Sequence, residues 1–221
     1  MSKFFAMGRA DWNYADALPP SGTIGGRMWN SARKFGPIEP AVISWQPGSD
    51  IIGDFVSAAF CKLAKRSVGE ELASRFGGLS LGPVEMFQLK SVKPPKTKAR
   101  FPRVLLPYQG PELCELWPNT WLPCEVEDNR FEWRIDAGVK IADLKFDPSL
   151  TPSAPQHVRG CLYERDVSSP RLYVKRSDLN GLGIFCLRGF RGAIFVTEDV
   201  MTFILDKQWM GVHFFEEGVI V

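Results

Sequence analysis

The sequence lacks the features by which metal sites and disulfide frameworks are usually recognised. Its 221 residues contain only two histidines and five cysteines, and no two cysteines form a CxxC pair. Zinc sites need three or four nitrogen or sulfur ligands, which mostly arrive in such close pairs. An odd number of cysteines cannot form a fully paired disulfide framework. We therefore expect reduced thiols, a cytoplasmic protein, and no metal or other cofactor.

Long apolar runs and a strong excess of one charge are missing too. No segment approaches the ~20 apolar residues of a membrane-spanning helix, and the apolar patch at 4–7 is shorter than a signal-peptide core. Lysine and arginine number 27 against 25 aspartates and glutamates, which gives a net charge of +2. Nucleic-acid-binding domains usually carry a marked basic excess, and the densest basic stretch, 90–103, is broken by two prolines. We expect neither a membrane nor a nucleic acid as partner.

Familiar catalytic and phosphate-binding motifs give little support for an enzyme. The phosphate loop GxxxxGK[ST] and the metal-binding helix HExxH are absent, and residues 181–183 lack the third glycine of a dinucleotide site and predict a turn. A Cys186–His213 pair would require the fold to bring them together, and His213 is expected on a strand, facing solvent or bonded to backbone. Asp50 and Asp54 lie four residues apart and could form an acid–base pair on one face of a helical turn. A role for Asp50 as the cap of a turn fits the neighbouring residues better. The sequence predicts no catalytic residues.

Seventeen prolines and twenty glycines predict many short elements rather than long helices. Residues 1–40 read as an irregular arm. Apolar runs bounded by proline, glycine or asparagine predict short strands at 41–45, 104–106, 115–117, 121–122 and 131–135. We predict an α+β fold of mostly antiparallel sheet with two or three short helices.

Two segments, 54–88 and 183–215, share the order strand, helix, turn, strand. In the first, Ser67 and Glu70 form a capping box, and Val68 and Leu72 lie on one helix face. In the second, Thr197 is expected to cap a helix over 197–207. Either the chain is one compact domain, or it divides into 1–100, with the irregular arm and the first unit, and 101–221, a strand-rich region ending in the second unit.

Three stretches, in this order, resemble the double-CXXCG family of immunity proteins from bacterial polymorphic toxin systems. The first is Trp45-Gln46-Pro47-Gly48 with Gly53-Asp54-Phe55 and the capped helix after it. The second runs from Leu106 to Pro111 and on to Trp117 and Trp121. The third runs from Asp178 to Phe185, continues with Phe195 to Val200, and ends with the strand at 211–214. Together they cover most of residues 45–216.

This resemblance implies a protein that binds and neutralises a toxin made by the same cell and has no catalytic residues of its own. The chain lacks both CXXCG pairs for which the family is named. Those pairs are expected to bind zinc, so no metal is carried over to this sequence. Cys124 stands where the second pair would be.

The residues themselves leave three functions open. Seven tryptophans favour a protein-binding domain, because interface hot spots are rich in tryptophan, tyrosine and arginine. A small enzyme or ligand-binding domain with a site assembled from distant residues would need a deep pocket holding a buried titratable group. An adaptor of a phage or secretion system would be favoured by a stable homo-oligomer.

One charged stretch is the predicted surface for a toxin partner, and it comprises Glu125, Glu127, Asp128, Arg130 and Glu132. It is expected to connect two strands, and such connections carry recognition while the sheet supplies rigidity. Its charges suit a basic cleft and would speed encounter with it. The competing interpretation makes them rim charges of little energetic weight.

Overall fold

The computed structural model describes residues 2–9, 17–18, 41–45, 52–58, 61–89, 105–126, 131–136, 139–144, 162–163, 172–188 and 193–221. These residues form a mixed α+β fold in which strands predominate, as predicted. Three short helices lie among them: α1 (Arg66–Arg75), α2 (Arg176–Leu179) and α3 (Glu198–Asp206). No helix in this described part of the chain is both long and apolar enough to cross a membrane.

The described strands are short, as the frequent prolines and glycines predict. In chain order they are β1 (Ser2–Arg9), β2 (Ala17–Leu18), β3 (Ala41–Trp45), β4 (Phe55–Ala58), β5 (Cys61–Lys65), β6 (Leu79–Gly82), β7 (Val84–Leu89), β8 (Leu105–Pro107), β9 (Leu113–Pro118), β10 (Trp121–Leu122), β11 (Glu125–Val126), β12 (Phe131–Asp136), β13 (Val139–Leu144), β14 (Leu162–Tyr163), β15 (Leu172–Val174), β16 (Ile184–Leu187), β17 (Phe195–Thr197) and β18 (Val212–Ile220). Most of their pairings are antiparallel, and the parallel ones are β3–β7, β10–β16, β14–β18 and β15–β18.

The largest sheet is nearly closed by one short segment of chain. Its strand order is β10-β16-β17-β1-β18-β15-β11, with β14 beside β18. The end strands β10 and β11 are separated in sequence only by Pro123 and Cys124. Residues 121–126 therefore join the two edges of the sheet. A core cluster packs together side chains from strands around this sheet and from helix α2, and it comprises Phe4, Leu122, Leu172, Val174, Leu179, Phe185, Leu187, Phe195 and Ile220.

The first strand lies in the middle of this sheet, between β17 and β18. Phe4 and Phe5 are almost completely buried, because they belong to opposite faces of a strand that is covered on both sides. The expectation that residues 1–40 are irregular is therefore wrong for Ser2–Arg9. The short apolar run gave too little pattern to distinguish a central strand from a loop anchor.

The two strand–helix–strand segments predicted from the sequence share one topology. In unit 1 the hairpin β4–β5 is followed by α1 and then β6, and β9 is inserted between β5 and β6. In unit 2 the hairpin β16–β17 is followed by α3 and then β18, and β1 is inserted between β17 and β18. All six pairings are antiparallel. Each unit is thus completed by a strand from elsewhere in the chain.

The two helices bury the same positions of a common pattern. The buried residues are Val68, Gly69 and Leu72 in α1 and Val200, Met201 and Ile204 in α3. This spacing of i, i+1 and i+4 places one narrow face of each helix on its sheet. Both faces contribute to a single core cluster that also contains Phe55, Leu116, Val196 and Phe214.

The helix starts differ from the predicted caps. Helix α1 begins at Arg66 after Lys65 and has no side-chain cap bond, so the capping box of Ser67 and Glu70 is wrong. Thr197 does occupy the N-cap position of α3, although its side chain makes no cap hydrogen bond. Glu198 and Asp199 lie in the first turn, where the helix dipole favours negative charge.

Reciprocal backbone contacts join the two units. The Ile184 N–H donates to Gly77 O over 3.2 Å, and the Phe55 N–H donates to Met210 O over 2.9 Å. Each bond links the first residue of one unit's hairpin to the turn after the other unit's helix. These turns contain Gly78 and Gly211, whose φ angles are +98° and +96°. We call these contacts the unit interface.

Candidate functional site

The predicted partner-binding stretch is only partly described. Glu125 lies in β11 opposite Tyr173, and Glu132 lies in β12 opposite Asp143. Glu127, Asp128 and Arg130 fall outside the described residues. The stretch therefore begins on the segment that closes the largest sheet and ends in a second element. Both described members belong to strands rather than to a loop.

That second element is a two-stranded hairpin, β12–β13, with residues of different character on its two faces. Directly opposed residues of an antiparallel pair lie on one face, so one face carries the acidic residues Glu132, Asp136 and Asp143 together with Arg134, Val139 and Ile141. The other face carries the apolar residues Phe131, Trp133, Ile135, Ala142 and Leu144, together with Lys140. We call the first one the acidic face of the hairpin. The alternation of Glu132 and Arg134 with apolar neighbours predicted this strand correctly.

The structure separates the candidate Cys186–His213 pair. Cys186 lies in β16 and His213 in β18, and strands β17 and β1 run between them. Three strand spacings amount to about 14 Å, which is far beyond hydrogen-bond reach. His213 lies on a strand, as predicted, and because it is only 5% exposed, the solvent-facing alternative for its side chain is wrong. The hydrophobic neighbours Val212 and Phe214 continue the buried run on both sides of it.

Cys114, Cys124 and Cys186 have properties of packing residues rather than nucleophiles. Burial raises the pKa of Cys186 to about 12, and that of Cys124 to about 11. Desolvation likewise raises the pKa of Cys114 to about 11, an effect that the nearby Arg66 charge reduces. A nucleophilic cysteine needs a lowered pKa and a thiolate, so all three are thiols at neutral pH.

Asp54, considered with Asp50 as a possible acid–base pair, has a structural position. One carboxylate oxygen accepts a hydrogen bond from Lys65 Nζ at 2.9 Å, and the other accepts one from the Met210 backbone N–H at 2.8 Å. The carboxylate thus ties unit 1 to the turn of unit 2. Asp50 lies outside the described residues.

A GxSxG sequence, the pattern of serine-hydrolase elbows, occurs at residues 78–82. Such an elbow needs the serine on a turn between a strand and a following helix. Ser80 instead lies inside β6, opposite Trp117 of β9, and helix α1 precedes it. The pattern is therefore a strand sequence here. Residues 181–183 form a turn as predicted, with Asn180 and Gly181 at positive φ.

The described residues bring no three potential metal ligands together. Groups of histidine, cysteine, aspartate or glutamate that could hold an ion are not found among them. Among the described residues the buried polar or charged ones are His213 and Glu115, and Glu115 lies in β9 between β5 and β6.

The structure assembles a feature that the sequence did not predict, where the C-terminal ends of α1 and α3 meet. Three half-buried rings pack edge to face: the Phe76 and Phe203 centroids are 5.4 Å apart, and those of Phe203 and Trp209 are 5.6 Å apart. The Arg75 guanidinium carbon lies 4.4 Å from the Phe203 centroid. Lys207 Nζ lies 5.3 Å from the same ring. We call these five residues the aromatic–cation platform.

The platform residues hold each other in place. Lys207 also forms an ion pair with Glu71 of α1 at 2.5 Å, and Trp209 packs edge to face on the buried Phe55 at 6.1 Å. The sequence contained little indication of this cluster, because Phe203 stands in an apolar run of α3 in which several residues are candidates for the buried face. The inner face is formed by Val200, Met201 and Ile204, which leaves Phe203 at its border.

No protein-family model matches the chain, and no curated protein matches it either.

Proposed function

We propose that this chain is an immunity protein that binds a cognate bacterial toxin domain in the cytoplasm and neutralises it by covering it. Two things support the proposal: the ordered resemblance to the double-CXXCG immunity family, and the acidic face of the β12–β13 hairpin. Membership of that family is part of the proposal.

The acidic face is the observation that carries the proposal. Glu132 and Asp143 stand directly opposite each other, and like charges in that position destabilise a strand pair by a few tenths of a kcal/mol to about 1 kcal/mol. A basic partner surface would remove that cost on binding. A hairpin of two strands is also only marginally stable by itself, so a partner would stabilise the element that recognises it.

The connection to the body of the protein strengthens this interpretation. The chain runs from Glu125, on the closing segment of the largest sheet, through residues 127–130 into β12. Acidic residues are thus present in the chain before and within the hairpin, which follows in sequence the segment that closes the largest sheet. A rigid sheet that displays charged connections is a common arrangement for recognition. Opposite charge on the toxin would accelerate association, and salt would weaken that effect.

The test uses the toxin domain encoded beside this chain. We expect a one-to-one complex that buries on the order of 1,600 Å² or more and protects cells expressing the toxin. Reversal of charge at Glu127 and Asp128, or at Glu132 and Asp143, should weaken toxin binding at least tenfold and reduce its dependence on salt. Calorimetric titration at two salt concentrations measures both effects.

The matched control is Glu70→Lys, which reverses an exposed charge on α1. It should change toxin affinity less than twofold. Toxin binding and salt dependence that survive both reversals in a folded protein would place the interface elsewhere. A neighbouring toxin that neither binds this chain nor is neutralised by it would overturn the proposed function.

A further inference from the structure

We infer that the aromatic–cation platform binds a carboxylate-bearing segment of a protein partner. The platform contains Arg75, Phe76, Phe203, Lys207 and Trp209 and uses none of the hairpin residues. The inference therefore does not rest on the proposed immunity function.

Arg75 is the group that would meet the carboxylate. Its guanidinium carbon lies 4.4 Å from the Phe203 centroid and 5.8 Å from that of Phe76. Within the described part of the chain, ring contacts are the interactions that Arg75 makes, and no carboxylate is bound to it. A guanidinium has five N–H donors in a fixed fork that matches a carboxylate in two parallel hydrogen bonds. The stacked Arg75 thus has donor capacity that the described residues leave unused.

Lys207 already forms an ion pair with Glu71, which leaves Arg75 as the platform cation that would bind the partner carboxylate. Its ammonium bonds to Glu71 at 2.5 Å while lying 5.3 Å from the Phe203 centroid. The charge of Lys207 is thus largely offset, whereas that of Arg75 is not. Charge complementarity therefore favours one carboxylate at Arg75, with Lys207 and Glu71 at the edge of the contact.

The rings supply an apolar surface that is fixed before binding. Phe203 contacts both Phe76 and Trp209, and Trp209 also packs on the buried Phe55. All three platform rings remain partly exposed. Aromatic residues and arginine around a partly desolvated centre are typical of interface hot spots, and little side-chain entropy would be lost on binding. The partner segment should carry an aspartate or glutamate next to an apolar side chain.

A nucleic acid fits this surface less well than an acidic protein segment does. The acidic residues Glu70, Glu71 and Asp206 lie on the same two helices, and Glu71 pairs with the platform cation Lys207. A nucleic acid brings a continuous row of phosphates and needs several unpaired cations in a row. A single protein carboxylate needs only Arg75.

The experiment selects a random heptapeptide library displayed on phage against the full chain. Enriched peptides should contain an aspartate or glutamate beside an aromatic or aliphatic residue. Synthetic copies of the enriched peptides should bind the Arg75→Gln variant at least fivefold more weakly than the unchanged chain. The Arg75→Lys variant should lose only part of that affinity, because lysine keeps the positive charge but cannot form the two parallel hydrogen bonds of a guanidinium. Arg188→Gln, which removes another exposed arginine, should bind like the unchanged chain.

Three results would overturn the inference. The first is enrichment of peptides without carboxylates, or of none at all. The second is equal binding to Arg75→Gln in a folded protein with an unchanged melting temperature. The third is displacement of the peptides by an oligothymidylate at equal concentration, which would identify the platform as a nucleic-acid surface. A protein that neutralises its toxin normally while failing this test would refute the platform alone.

Discussion

Gly78 and Gly211 stand at equivalent places in the unit interface, and each is needed because it has no side chain. A Cβ on Gly211 would lie 2.1 Å from Phe55 O, and a Cβ on Gly78 would lie 2.0 Å from Ile184 O. These oxygens belong to the backbone of the first residue in each hairpin, so neither can move without distorting a strand. The φ angles of +98° and +96° add strain for any residue with a Cβ.

Gly211→Ala should therefore reduce the free energy of unfolding by about 3 kcal/mol or more. This combines 1–2 kcal/mol for the left-handed backbone with 1–3 kcal/mol for overpacking. Gly181→Ala is the matched control, because Gly181 has φ +80° but nothing within 4 Å of the added Cβ. It should lose only the backbone contribution. Urea unfolding measures both changes, and equal losses would show that the backbone contact is not restrictive.

At the scale of a single element, the stability of helix α3 should come from its buried face rather than from its N-cap. Ile204 is fully buried in the core cluster shared by both units. Thr197 occupies the N-cap position but makes no side-chain cap bond. The sequence predicted Thr197 as the helix cap, and removal of a side-chain cap bond usually costs about 1 kcal/mol.

We now expect Ile204→Ala to cost about 3 kcal/mol through cavity formation, and Thr197→Ala to cost less than about 0.5 kcal/mol. Chemical unfolding followed by circular dichroism distinguishes the two effects. A loss near 1 kcal/mol for Thr197→Ala would mean that the hydroxyl does cap the helix in solution.

Local sequence patterns predicted individual strands and helices, whereas pairing between distant segments of the chain determined their positions in the sheets. Strand β3 (Ala41–Trp45) has the predicted bounds, and the alternation at Phe131 to Ile135 located β12. The predicted start of helix α1 was wrong because Ser67 and Glu70 have the form of a capping box in the sequence. In the structure the strand β5 ends at Lys65 and the helix begins at the next residue. The aromatic–cation platform could not be predicted from the sequence, because Arg75 and Phe203 are distant in the chain and come into contact only when it folds.

At the scale of the whole molecule, the two units share one apolar interior. The same cluster contains Leu72 and Phe55 from unit 1 and Ile204 and Phe214 from unit 2. The division at residue 100 stays a prediction, although this shared core crosses it. A single cooperative transition is what such a core implies for a small protein.

Leu72→Ala and Ile204→Ala, at matching positions of the two helices, should both shift the same single unfolding transition to lower urea concentration. Each should cost 2–5 kcal/mol without changing the slope of the transition. Circular dichroism and tryptophan fluorescence should give coincident curves. Two separate transitions, of which Leu72→Ala affects only one, would mean that the units unfold independently.

The position of β1 also bears on how the protein is synthesised. Lys3 on this strand bonds to Glu216 on its neighbour β18, 213 residues further along the chain. At translation rates of 5–20 residues per second, that interval lasts roughly 10–40 s. For most of that interval the apolar strand β1 has been synthesised while its eventual neighbours β17 and β18 have not. Completion of the largest sheet is thus a late event in synthesis. Until then the side chains of Phe4 and Phe5 lack the β17 and β18 neighbours that bury them in the folded protein.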